Sequence, residues 1–261
     1  MRETRARGLM FASLILGMLT GCNVGSDTGT SDSTTTSNAS AVGVWSGTDS
    51  ISGLAVTALI DSKGQAAFLR ADGTQFVGTV QVSGNNLAVA VDGYSNYGET
   101  FSDGATTGVG TLSGTVVTGT SLNATLSFTT SSGSSISGTW SLSFDALTSS
   151  GSSLAAVSAN YTNGTSGAVV SINGLGDVTS QDASTGCGLN GTISTTDHSY
   201  DIYQIAFVLK SCTGSAAALN EVEFSGLAVL NSHTSPAQLV IAVTGVASSG
   251  DVGIVSYLDA T

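Results

Sequence analysis

The sequence predicts an all-β protein: two tandem small antiparallel β-barrels or barrel-like sandwiches, about eight strands each, behind an N-terminal export signal and a disordered tether. Three observations predict it. Apolar and polar residues alternate in short runs along most of the chain, which puts one face of each run in a core. Turn dipeptides separate those runs: Asp72-Gly73, Gly84-Asn85, Asp92-Gly93, Asp103-Gly104 and Asn173-Gly174. The composition suits strands and not bundled helices. Charged residues are 9%, glycine is 34 of 261, and proline occurs once. At 41% hydrophobic residues the chain has enough apolar surface to fold, so disorder throughout is excluded.

The first element, residues 1–22, is a signal. Arg2, Arg5 and Arg7 make a basic start, and Leu9 to Leu19 is apolar except for Ser13 and Gly17. That run is too short for a bilayer span, which needs about 20 residues. It ends in Leu19-Thr20-Gly21-Cys22, which resembles the lipobox of bacterial lipoprotein signal peptides. The resemblance implies cleavage before Cys22 and acylation (palmitate-type chains) of that residue, so the expected partner is a lipid bilayer. Several acyl chains anchor stably where one does not. Asn23 follows, where Asp tends to retain such lipoproteins at the inner membrane. The expected location is therefore the cell envelope, lipid-anchored, at the outer membrane. Cleavage there leaves Lys63, Arg70 and Lys210 as the basic residues, 3 against 17 acids, a net −14. Nucleic acid and anionic surfaces are excluded as partners by that balance.

The second element, residues 23–40, is almost devoid of apolar side chains and reads as a disordered Ser/Thr-rich tether with a reach of about 20–25 Å. Two β domains follow, 41–147 and 154–261, joined by the linker 148–153. In the first, Leu122, Ala124, Leu126 and Phe128 share one face of a strand, as do Trp140, Leu142 and Phe144. In the second, Tyr203, Ile205, Phe207 and Leu209 do so, and Leu239, Ile241 and Val243. Ser153 to Ala159 fits one short helical turn. The halves repeat weakly: Ala55-Val56, Ile60, Gly64 and Gly78-Thr79-Val80 are matched by Ala168-Val169, Ile172, Gly176 and Gly191-Thr192-Ile193. Eight antiparallel strands per half can close and leave no exposed edge. A single large barrel and a β-solenoid are the alternatives. Outward Ser and Thr argue against a membrane-spanning barrel.

Gly43-Val44-Trp45 at the head of the first domain is loosely similar to the opening of lipocalins and avidins. Gly186-Cys187-Gly188-Leu189-Asn190-Gly191 with Cys212 resembles uncharacterised proteobacterial β-rich envelope lipoproteins. These resemblances imply an architecture and bring no activity with them.

With Cys22 acylated, Cys187 and Cys212 remain, and in an oxidising compartment an even pair reads as a disulfide. It would close the base of a hairpin spanning 187–212. No nucleophile elbow, metalloprotease helix, phosphate loop or calcium loop is present. The acids are scattered, and Asp72, Asp92, Asp103 and Asp251 read as turn formers. Two groups of residues remain as candidate sites. Tyr94, Tyr97, Glu99 and Phe101 lie in one loop of an aromatic-poor chain, and tyrosines commonly anchor binding surfaces. The competing reading, a strand with Tyr97 and Phe101 facing the core, weighs more. His198 and His233, with Asp197 and Asp201, are candidate ligands for a zinc-like ion if their turns share a rim; two solvated turn histidines are the plainer account. No cofactor is expected. The function expected is a non-catalytic envelope lipoprotein that binds a small ligand or a protein partner through its barrel loops. A surface adhesin or structural protein is the alternative, and an enzyme comes third.

Overall fold

The structure, a computed structural model, describes residues 37–261 except 150, 165 and 166. The signal, Cys22 and the tether up to residue 36 lie outside the described residues. The described residues from 37 on belong to one compact unit. The strands of the first half are β1 (Gly43–Asp49), β2 (Ala55–Ile60), β3 (Gln65–Arg70), β4 (Gln75–Thr79), β5 (Gln81–Ser83), β6 (Asn86–Tyr94), β7 (Thr107–Val117), β8 (Ser121–Thr130) and β9 (Ser135–Phe144). Those of the second half are β10 (Asn160–Thr162), β11 (Val169–Ile172), β12 (Asp177–Gln181), β13 (Gly188–Thr195), β14 (Ile202–Lys210), β15 (Glu223–Asn231), β16 (Gln238–Ala247) and β17 (Gly250–Ala260).

Both halves are closed antiparallel barrels in which each strand pairs with its sequence neighbour. In the first, β4 and β5 pair in turn with β6 and act as one strand broken at Val80, so eight strands close when β9 returns to β1. In the second, β17 returns to β10. The alternation seen in the sequence sets the faces. Leu122, Ala124, Leu126 and Phe128 point inward, and the intervening Asn and Ser residues are exposed.

The repeat is built from equivalent hydrogen bonds. Asp61 and Asn173 each turn the chain between the second and third strands. The Asp61 side chain accepts from the N–H groups of Lys63 and Gln65, and Asn173 from those of Leu175 and Asp177. Gly64 (φ +80) and Gly176 (φ +87) then take the left-handed conformation the turn needs. Their carbonyls accept from Val80 and Ile193 at the same distance, 2.8 Å. On the first strand of each barrel an aromatic donates to the carbonyl four residues earlier: Trp45 Nε1 to Ala41 and Tyr161 Oη to Val157.

Four features differ from the sequence expectation. Asn38 to Ser40, read as tether, are fastened to the first barrel through Gly84 and Thr118. Asp92-Gly93 is no turn, because β6 runs through it; a Cβ on Gly93 would lie 2.4 Å from the Phe128 ring, so close packing explains the glycine. Asp251 likewise stands in β17 and not in the turn before it. The linker 148–153 is held down: Thr148 and Ser152 are buried, Asp201 N–H donates to the Thr148 carbonyl, and Ser152 Oγ donates to the Asp197 carbonyl. The helical turn after it, α1 (Leu154–Val157), is capped by the Ser153 side chain, which accepts from Ala156 N–H.

The outward faces are not uniformly polar. Val44, Leu59, Ala67 and Leu69 on the first barrel meet Ile202, Leu227, Val229, Val240, Ala242 and Val255 on the second, forming a third core between the barrels. Strands β2, β3, β15 and β16 are therefore buried on both faces. Continuous apolar runs, Ala58-Leu59-Ile60 and Leu239 to Val243, carry that signal in the sequence.

Candidate functional site

The interiors of the two barrels differ because their side chains differ. Both tryptophans and five of the eight phenylalanines belong to the first. Trp45, Phe68, Phe76, Phe128 and Trp140 fill its interior at 0–1% exposure, and edge-on and tilted ring contacts at 5.1–5.8 Å join most of them. The second barrel holds Phe207 and Phe224 but is otherwise lined by aliphatic residues. Its interior holds a half-open cavity of about 450 Å³, within the range of about 300–1,000 Å³ typical of small-molecule sites. Its wall includes Val170, Val178, Leu189, Ile205, Phe207 and Ile254.

One end of this barrel is plugged. Leu154 and Val157 of α1 pack into the interior, and Tyr161 and Tyr203 close over the helix by donating to the carbonyls of Val157 and Ser153. Burial, with Tyr203 beside it, pushes the Tyr161 hydroxyl up to about 12, so it stays a neutral donor.

The other end is the mouth. The Cys187–Cys212 disulfide stands on its rim, tying the β12–β13 loop to the β14–β15 loop where β13 and β14 end side by side. Thr213 adds two hydrogen bonds to the Thr185 carbonyl, each 2.8 Å. The 3₁₀ segment Gly214–Leu219 that follows lays Ala216 and Leu219 over the interior. The equivalent loop of the first barrel, between β6 and β7, inserts the larger Phe101 against Phe128 and fills its own barrel.

That same β6–β7 loop completes the second barrel's mouth. Asn96 Oδ1 accepts from Val255 N–H (2.9 Å), and Tyr97 N–H donates to the Gly253 carbonyl (3.0 Å). Tyr97 then packs on the second interior and its hydroxyl donates to the Ser215 carbonyl at 2.8 Å. The four candidate loop residues are thus separated. Tyr97 borders the cavity, and Phe101 is buried in the first barrel. Tyr94 is half-buried beside Gly253, and the Glu99 side chain is exposed near Gly73. Burial raises the Tyr94 hydroxyl, and the charges of Asp92 and Asp251 raise it further.

The candidate ion set His198, His233, Asp197 and Asp201 is not assembled. His198 Nδ1 lies 3.1 Å from the Ser152 carbonyl, and His233 Nε2 lies 2.8 Å from Asp145 in the cleft between the barrels. Among the described residues no three His, Cys, Asp or Glu side chains converge as a metal ion requires. Within the cavity lining, Tyr97 and Asp182 are the ionisable side chains.

Sequence reasoning missed the lining itself. The signal was the uneven placement of rings between two repeats of one architecture: a repeat with fewer large side chains fills its barrel less completely.

The fold defines a tandem pair of up-and-down β-barrels sharing a packed seam. The chain matches no protein-family model and no curated protein.

Proposed function

We propose that this protein is a membrane-tethered binding lipoprotein whose second barrel takes up a small apolar molecule. The observation that carries the reading is the 450 Å³ cavity, whose mouth is pinned by a disulfide and completed by Tyr97 from the other barrel. Burial of apolar ligand surface yields about 25 cal/mol per Å², and walls held by closed sheets cost little to organise. The signal and its Leu19-Thr20-Gly21-Cys22 segment support an acyl anchor at the envelope. The first barrel serves as a filled scaffold that holds the Tyr97 loop in place.

Titration with N-phenyl-1-naphthylamine, an uncharged dye that brightens in apolar sites, tests the reading. Saturable binding of one dye per chain is expected, weakened by Ser180→Phe, which adds a ring to the cavity wall. A dye signal that does not saturate refutes it.

A further inference from the structure

Resting on that reading, we propose that the second barrel selects uncharged amphiphiles, with an apolar body and a hydroxyl or carbonyl head, over the corresponding carboxylates. Most of the cavity lining is aliphatic and aromatic, and apart from Asp182 its polar side chains are neutral hydroxyls and amides. Ser180, Thr185, Ser256 and Asn163 stand on the lining, and Asn163 Nδ2 is 3.3 Å from Ser256 Oγ. Such groups both donate and accept, which suits an alcohol or carbonyl. No Lys, Arg or His occurs among the described lining residues. A carboxylate drawn into this site would lose water without gaining a cationic partner.

The one carboxylate on the lining strengthens the discrimination. Asp182 Oδ1 accepts from Ser184 N–H (2.8 Å) and Ser184 Oγ (2.7 Å), and Oδ2 accepts from Thr185 Oγ1 (2.8 Å). The Ser184 and Thr185 hydrogen bonds hold its acid below the usual carboxylate range, so it is an anion at neutral pH. Three of its acceptor positions are taken by its own turn, and its charge adds repulsion for an entering acid. A chain carrying 18 acids against 6 bases adds to that field.

The test is displacement of N-phenyl-1-naphthylamine by dodecan-1-ol, dodecanoate and dodecylamine at pH 7.5. The full chain carries Cys22→Ser, so that no acyl chain competes for the cavity. The alcohol is expected to displace the dye with an affinity about tenfold or more above that of the acid. An acid that binds as well as the alcohol overturns the selectivity while leaving the cavity reading standing. An amine that binds better than the alcohol also overturns it, since Asp182 would then act as an ionic anchor. Failure of the dye and of all three compounds to bind removes both.

Discussion

Leu227→Ala tests the seam that holds the Tyr97 loop over the second barrel. Leu227 points outward from β15, which packs against β2 and β3, and it is 3% exposed. A buried Leu→Ala substitution costs about 2–5 kcal/mol. Leu227 also lines an open groove of about 460 Å³ between the barrels, where the surroundings can relax and water can enter. The lower end therefore applies, about 2–3 kcal/mol. The readout separates coupling from local damage. Both tryptophans, Trp45 and Trp140, are buried in the first barrel, whereas Leu227 belongs to the second. Urea unfolding followed by tryptophan fluorescence should shift its midpoint by about 1–1.5 M, taking an m-value of about 2 kcal/mol/M. Far-UV circular dichroism should show the same single transition. Val117→Ala, on an exposed outward residue, should change stability by less than about 0.5 kcal/mol. If Leu227→Ala leaves the tryptophan transition in place, the barrels unfold independently and the shared core contributes nothing to their coupling.

Three further outcomes are expected. Removing the disulfide with Cys187→Ser and Cys212→Ser frees a loop of 25 residues and should cost about 3.5 kcal/mol in the chain-entropy model, read by urea unfolding. Tyr97→Phe deletes the hydroxyl that reaches Ser215 and should speed dye release several-fold in stopped flow with little change in global stability, whereas an unchanged rate denies the loop its closing role. Asp49 is buried, which pushes its acid up. Hydrogen bonds from Ile51 N–H and the Ser52 hydroxyl outweigh that and hold it below 3.8. Its contribution is complete above the unfolded value and is lost as pH falls through the lower folded value. Wild-type stability should therefore decline more steeply than that of Asp49→Asn below about pH 4.

Much of the architecture was legible because strand periodicity is a local property. Alternating Leu122 to Phe128 places its apolar side chains on one face whatever the remainder of the chain does, and Asp72-Gly73 and Asp103-Gly104 turn as their types require. The Cys187–Cys212 disulfide followed from parity and from a hairpin between them. Asp92-Gly93 misled because the dipeptide carries two meanings, a turn or a strand position where no Cβ fits; only the Phe128 ring across the barrel distinguishes them. Thr148 to Ser153 has a linker's composition, yet its small polar side chains and backbone satisfy hydrogen bonds of the β13–β14 loop. Tyr97 could be singled out as a candidate, but its target could not, since Ser215 is 118 residues away in the chain.

From the amino-acid order alone came the strand count, the doubling of the unit, the acidic balance and the cysteine pair. Tertiary structure alone decided which barrel is filled and which is hollow, that the barrels share an apolar seam, and that a loop from one completes the mouth of the other. The physical reason is range. Alternation, turns and charge are properties of neighbouring residues, whereas a cavity is the volume left when distant side chains fail to fill a closed sheet.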